Sequence, residues 1–249
     1  MIQVSGYRLQ VTAKALRQPV ARFVRIALYC LLYPVTCALL AGCVSRPPPP
    51  DWKLNAHGLL ESYAKHYLNG ETLLAERHFE RARAEIARTG RLDIAARAEL
   101  ARCAIRTAAL ETGPCQGYTA LAAHADAEDR AYARFLAGNW QGLEVSTLPP
   151  QYRALVKAQD EASLARSLEA IRDPVSRAIA AGVLLLMGRA SPEVIAAATR
   201  TASDQGWRRA LLAWLEVQLR RAEAAGDAAA LALIRQRMDL VQSSLPEKR

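Results

Sequence analysis

The sequence predicts an all-α protein, an irregular solenoid of antiparallel helical hairpins. Alanine and leucine dominate the 249 residues, and aromatic residues make up only 6% of them, a composition typical of helical proteins. Apolar residues recur three or four positions apart, and no stretch alternates as a half-buried strand does. Glycine and proline stand mainly between these periodic segments. Together these features predict about ten or eleven helices.

The start of the chain has a different character. An uncharged run, 26–42, follows a basic segment that contains Lys14, Arg17, Arg22 and Arg25. The run ends at Leu40-Ala41-Gly42-Cys43. This order resembles the signal peptide of a bacterial lipoprotein, in which such a lipobox is cleaved before a lipidated cysteine. The resemblance implies that residues 1–42 are a signal peptide and that Cys43 carries diacylglycerol and an acyl group such as palmitate.

A second interpretation of this segment is an uncleaved membrane helix. Residues 26–44 are 19 positions without a charge, close to the roughly 20 needed to span a bilayer. Pro34 in the middle of the run and the position of Cys43 favour the lipoprotein. Both interpretations place the chain after residue 50 on the same side, because the basic residues stay in the cytoplasm.

The leader determines the expected location of the protein and most of its net positive charge. The resemblance implies the outer membrane, facing the periplasm, since Val44 rather than aspartate follows Cys43. The chain has 33 basic and 24 acidic side chains, but residues 1–42 hold five of the basic ones and no acidic one. The net charge of the remainder is therefore only +4. We expect no nucleic-acid partner.

Residues 43–50 are predicted to form the lipidated N-terminus and a proline-rich spacer, because prolines 47–50 favour polyproline II. The helical domain then covers residues 51–249. Asp51 is placed to cap a first helix that ends near Asn69-Gly70, and a second helix is predicted over 71–88.

This helix pair resembles part of a tetratricopeptide repeat. The match covers the turn and second helix: Gly70, Glu71, Ala75, Phe79 and Ala82. Small alanines allow close helix approach, and Phe79 fills the gap between them. The first helix departs from the family, with Leu59, Ser62 and Tyr63 where its Trp-x-x-Leu-Gly pattern would stand. The resemblance implies a tetratricopeptide-like arrangement of hairpins.

Capping residues, glycines and prolines mark the boundaries of the later helices. We predict a third helix over 92–110, a short fourth over 115–124 and a fifth from Asp126 to about 138, before an irregular stretch that ends at Pro150. Asp126, Asp160, Asp173 and Ser191 are predicted to be N-caps, the last two followed by a first-turn proline. The predicted segments after the irregular stretch are 151–159, 160–171, 175–187, 192–206, 207–225 and 228–242.

Two cysteines, Cys103 and Cys115, remain beyond the leader and Cys43. An even pair in an exported domain predicts a disulfide, with two buried free thiols as the alternative. The bridge requires the third helix to stop near residues 109–111 so that the chain can double back through Gly113-Pro114.

The sequence lacks the common catalytic and cofactor motifs, so we expect no enzyme activity, cofactor, metal or small-molecule substrate. His66 and His78 are placed to face each other across the first hairpin, but a metal would need further ligands. A rival reading takes Glu61, Glu71 or Glu76 as the acid of a peptidoglycan-cleaving enzyme.

Arginines cluster in two places: Arg77, Arg81, Arg83, Arg88 and Arg91, and then Arg208, Arg209, Arg220 and Arg221. We expect solvated helix faces, with binding of lipid phosphates or an acidic partner as the alternative. Trp207 and Trp214 are expected in the core.

These features predict a non-catalytic, membrane-anchored periplasmic lipoprotein that serves as a protein-binding scaffold in cell-envelope assembly. Stacked hairpins offer an extended surface for envelope proteins. The alternative is an enzyme or accessory factor that acts on peptidoglycan through a site the sequence does not mark.

Overall fold

The computed structural model describes residues 48–244, and the all-α fold of helical hairpins is confirmed for them. This part of the chain contains no β-strand. Its eleven α-helices are α1 (Asp51–Leu68), α2 (Thr72–Ala87), α3 (Leu92–Ala108), α4 (Gln116–Leu121), α5 (Ala127–Leu136), α6 (Pro150–Lys157), α7 (Glu161–Glu169), α8 (Pro174–Leu186), α9 (Pro192–Asp204), α10 (Arg208–Ala225) and α11 (Ala228–Ser243). Short 3₁₀ turns at Ala122–His124 and Val145–Thr147 follow α4 and precede α6.

Helices α1 and α2 form the predicted antiparallel hairpin. Gly70 turns the chain with a φ of 84°, which glycine adopts without strain. Phe79 is fully buried against Tyr63, with ring centroids 5.3 Å apart. The predicted cap is wrong, because Pro50 occupies the N-cap and Asp51 is already the first helical residue.

Helix α8 is the most deeply buried element. Eight of its residues are buried: Ser176, Ala178, Ile179, Ala180, Ala181, Gly182, Val183 and Leu184. It packs on α3, and a Cβ atom added to Gly182 would collide with the carbonyl oxygen of Thr107. The two helices therefore approach as closely as they do only because position 182 has no side chain.

The predicted caps after residue 120 are confirmed. Asp126, Asp160, Asp173 and Ser191 each accept a hydrogen bond from a backbone N–H three residues on. Asp160 also forms a capping box with Ser163. These bonds satisfy helix-end N–H groups that would otherwise have no partner.

Helices distant in the sequence also meet. The N-terminal part of the fold contacts its C-terminal part where α1 packs on α10 and where α3 packs on α8. Trp214 is fully buried and Trp207 nearly so, as expected. None of the helices within residues 48–244 has the length and apolar character needed to cross a membrane.

Candidate functional site

One face of α3 forms the floor of a groove, which we call the α3 groove. The floor residues are three or four positions apart and so lie in one row along the helix: Arg97, Leu100, Ala101, Ala104 and Ile105. Two adjoining cavities follow this row, and both are lined by Ala101 and Tyr132. The groove is thus built from helices that are far apart in the sequence.

The larger cavity has a volume of about 500 Å³ and is mostly apolar. Helix α1 forms one wall, and Val175 and Ile179 of α8 form the other. Trp207, which precedes α10, also contributes to the lining. Three exposed polar side chains stand along the α1 rim, four residues apart: His57, Glu61 and Lys65.

The smaller cavity, of about 450 Å³, has a charged wall. Arg97 donates from Nε to Asp129 over 3.0 Å and from Nη2 to Asp126 over 2.5 Å. Burial raises the pKa of the Asp129 carboxyl, and the facing Arg97 acts against that rise. Because Asp126 also caps α5, this cluster ties α5 to α3 and holds the wall in place.

Tyr132 separates the two cavities. Its ring stacks on Tyr152 and Phe135 at centroid distances of 5.7 and 6.0 Å. Burial raises the pKa of its phenol well above the usual value, so the side chain is neutral at ordinary pH. An aromatic stack of this kind fixes the shape of the groove between the two cavities.

The α3 groove can hold apolar side chains and orient them with a few polar groups at its rim. An apolar cleft with few polar groups is the usual form of a binding site. An apolar groove between helices is one of the recurring forms in which proteins recognise an amphipathic helix.

The three carboxylates considered as catalytic acids do not meet in this groove. Glu61 is at the rim, where its Oε1 lies 3.4 Å from His57 Nε2. Glu71 accepts from Arg208 at 3.2 Å, and Glu76 accepts from Arg102 at 2.6 Å. Both of these acids hold helices together and lie outside the groove lining.

The histidine pair is where the sequence placed it. The rings of His66 and His78 stack in parallel with centroids 5.1 Å apart, and His66 Nδ1 lies 2.5 Å from Glu71 Oε2. The Nδ1 atom of His78 is buried without a hydrogen-bond partner. Across residues 48–244, no three histidine, cysteine or acidic side chains are grouped so that they would hold a metal.

The expectation of a solvated arginine face is wrong for Arg208 and Arg209, whose side chains are only 24% and 19% exposed. Arg208 donates to the carbonyl oxygens of Asn69 and Ser244 at 3.2 and 2.8 Å. Arg209 lies over the ring of Tyr67, 4.1 Å from its centroid. These two arginines fasten the start of α10 to the first hairpin.

Cys103 and Cys115 lie at disulfide distance, with Cα atoms 5.8 Å apart. As the bridge requires, α3 ends at Ala108, and Leu110 reverses the chain with a φ of 60°. The pair joins α3 to the residue before α4. The predicted lipidation site, Cys43, and the signal peptide lie outside the described residues.

Comparison of the chain with protein-family models, with curated proteins and with solved structures finds no match. The groove is therefore interpreted from its own residues.

Sequence reasoning did not assign the residues that shape the groove. Tyr132, Val175 and Ile179 line the larger cavity, but no sequence motif marks any of them. One signal was present, because Ala101 and Ala104 add small side chains to the apolar row of α3. Small residues on an apolar face leave room that a neighbour must fill, but the sequence does not say which neighbour.

Proposed function

We propose that the protein is a non-catalytic, lipid-anchored scaffold of the cell envelope that holds a segment of a partner protein in the α3 groove. The observation that carries this proposal is the groove itself, two adjoining cavities of about 500 and 450 Å³ along one helix face. Their apolar lining suits side chains of a helix or an extended peptide.

The anchor is the second part of the proposal. The lipobox that ends at Cys43 supports acylation and export, and Val44 supports the outer membrane with the domain in the periplasm. Lipid attachment at the N-terminus concentrates the groove at a membrane surface. A scaffold of this kind assembles envelope proteins without performing chemistry on them.

A groove-filling variant tests the proposal. Ala101 is partly exposed and lines both cavities, so Ala101→Trp should block the groove without crowding the core. Proteins that co-purify with the wild type from cross-linked envelopes should be lost from this variant. They should remain on Ala232→Trp, a matched control on the exposed face of α11.

A second experiment, with purified protein, addresses the peptidoglycan alternative. The protein is incubated with isolated sacculi, and both its sedimentation with the sacculi and the release of muropeptides are measured. Binding or cleavage of sacculi by the wild type, together with no partner lost on Ala101→Trp, would replace the scaffold by a cell-wall factor.

A further inference from the structure

The floor and one wall of the α3 groove are helices that run in the same direction. In the first half of each helix, Ala56 of α1 and Ala98 of α3 belong to one small apolar cluster. Near the end of α1, the hydroxyl of Tyr67 donates to Glu111, just beyond α3, over 2.5 Å. Because both pairs join equivalent ends, α1 is parallel to α3. Lys65, two positions before Tyr67, is therefore level with the C-terminal end of α3.

The other end of the groove lies beside the start of α5. Glu128, in the first turn of α5, lines the smaller cavity together with Arg97. The residue after it, Asp129, accepts a hydrogen bond of 3.0 Å from Arg97, which keeps this turn at the N-terminal half of α3. Lys65 lines the larger cavity, so Lys65 and Glu128 stand at opposite ends of one groove.

These two exposed side chains are the charges of the groove lining that form no ion pair or hydrogen bond within residues 48–244. The remaining charged side chains of the lining are already engaged: His57 with Glu61, Arg97 with Asp129, and Arg153 with the carbonyl oxygens of Leu148 and Ser146. The groove therefore presents an unpaired positive charge at one end and an unpaired negative charge at the other.

The cavities and the two charges are spaced like side chains on one face of a helix. The smaller cavity lies over residues 97–101 of α3 and the larger one over residues 101–105. Their centres are thus about four residues apart along α3, or about 6 Å at 1.5 Å per residue. By the same measure Lys65 and Glu128 are about 16 Å apart, which is about three helical turns.

We propose that the α3 groove holds an amphipathic helix that runs antiparallel to α3, with an acidic residue of its first turn beside Lys65 and a basic residue of its last turn beside Glu128. The proposal rests on the proposed function, in which the groove holds a segment of a partner protein. Its apolar side chains, at about the fourth and eighth positions after the acid, enter the two cavities.

The helix dipole supports this direction. An acid in the first turn and a base in the last turn stabilise the bound helix itself. In the antiparallel arrangement its N-terminus also lies beside the C-terminal ends of α1 and α3, where opposite partial charges meet. The charges of the groove and the dipoles of its helices therefore favour the same orientation.

Two stapled helical peptides of equal composition test the proposal. The matched peptide has Glu at its position 1, Leu at positions 5 and 9 and Lys at position 12, and the swapped peptide exchanges the Glu and the Lys. The staple is on the face away from the leucines, so both peptides are helical. Fluorescence anisotropy with the purified full-length protein should show about tenfold tighter binding of the matched peptide at low salt. High salt should reduce the ratio, because it screens exposed charges.

Charge exchange on the protein provides the decisive variant. Lys65→Glu/Glu128→Lys should reverse the preference, so that the swapped peptide binds more tightly. The matched control is Lys157→Glu/Glu161→Lys, which exchanges two exposed charges outside the groove lining and should keep the original preference.

The outcomes separate this proposal from the proposed function. Equal affinity of the two peptides for the wild type, with both lost on Ala101→Trp, would overturn the direction and leave the groove as a binding site. An unstapled matched peptide with a central proline that binds as tightly as the stapled one would overturn the helical form. Failure of both peptides to bind would also overturn the proposal, whereas the proposed function is decided by the cross-linked partners of the wild type and Ala101→Trp.

Discussion

Helix α8 and the first hairpin, α1–α2, are built in opposite ways. Eight of the 13 residues of α8 are buried, and the helix packs directly on α3. The hairpin instead shows exposed leucines to solvent, with Leu73 80% and Leu54 53% exposed. Polar contacts from Arg208 and Arg209 fasten it to α10.

The difference separates the region that apolar burial stabilises from the region that polar contacts attach to α10. Apolar burial at about 25 cal/mol per Å² makes α8 and α3 the stable centre. Contacts made by partly exposed arginines are worth less, so the hairpin is the more easily altered region. Four predictions sharpen this contrast, from the largest expected effect to the smallest.

Breaking the bridge between Cys103 and Cys115 should have the largest effect. The bridge closes a loop over a sequence separation of 12, and loop entropy predicts a loss of about 3 kcal/mol when it is removed. Denaturant unfolding of Cys103→Ser/Cys115→Ser measures this loss. Alkylation of two thiols in the native, exported wild type would show that the bridge does not form.

Gly182→Ala should destabilise the protein by about 2 kcal/mol, because the new methyl group meets the backbone of Thr107 and forces α8 away from α3. Gly58→Ala in α1 is the matched control, since nothing lies within 4 Å of its added Cβ. There, helix propensity predicts a gain of about 0.5–1 kcal/mol. Equal changes in stability at the two glycines, measured by thermal unfolding, would contradict the claim that α8 is tightly packed where α1 is open.

Arg208→Ala should cost about 1 kcal/mol in denaturant unfolding. It removes donors to Asn69, Ser244 and Glu71, and the side chain is partly buried. Arg220→Ala, on the same helix, removes an exposed pair with Glu216 and should leave stability unchanged within error. A similar loss of unfolding free energy in both variants would mean that Arg208 does not attach α10 to the first hairpin more strongly than an exposed ion pair would.

Acid should weaken the first hairpin through His78. Burial lowers the pKa of the His78 imidazole, and the neighbouring His66 and Arg81 lower it further. The unfolded chain therefore binds a proton first, and stability falls as the pH drops below about 6.5, the unperturbed value. The stability difference between wild type and His78→Gln should change over that range, and a constant difference would contradict the assignment.

Local chemistry explains why the helix boundaries were predictable. Asp126, Asp160 and Asp173 each satisfy N–H groups within their own first turn, so neighbouring residues are enough to identify them. The stop of α3 at Ala108 was expected only on the condition that Cys103 and Cys115 form a bridge. Asp51 was assigned wrongly because the preceding Pro50 can take the cap position without a side-chain bond.

The groove and the contacts that attach α10 to the first hairpin were not predictable, because they depend on helices far apart in the sequence. Arg208 is 137 positions from Glu71, its ion-pair partner. In the sequence Gly182 is one position of an apolar helix, and its role depends on Thr107, which lies beside it in the fold. Helical periodicity identifies which face of a helix is buried, but it does not identify the helix that covers it.

Photo-cross-linking in cells tests the central claim, that the α3 groove holds a partner protein, most directly. A photoreactive amino acid replaces Lys65, at the rim of the larger cavity, or Glu128, at the smaller one. Exposed Gln236 of α11 is the control position. The account predicts that both groove positions yield an adduct with the same envelope protein and that position 236 does not. Adducts at all three positions alike, or at position 236 alone, would contradict it.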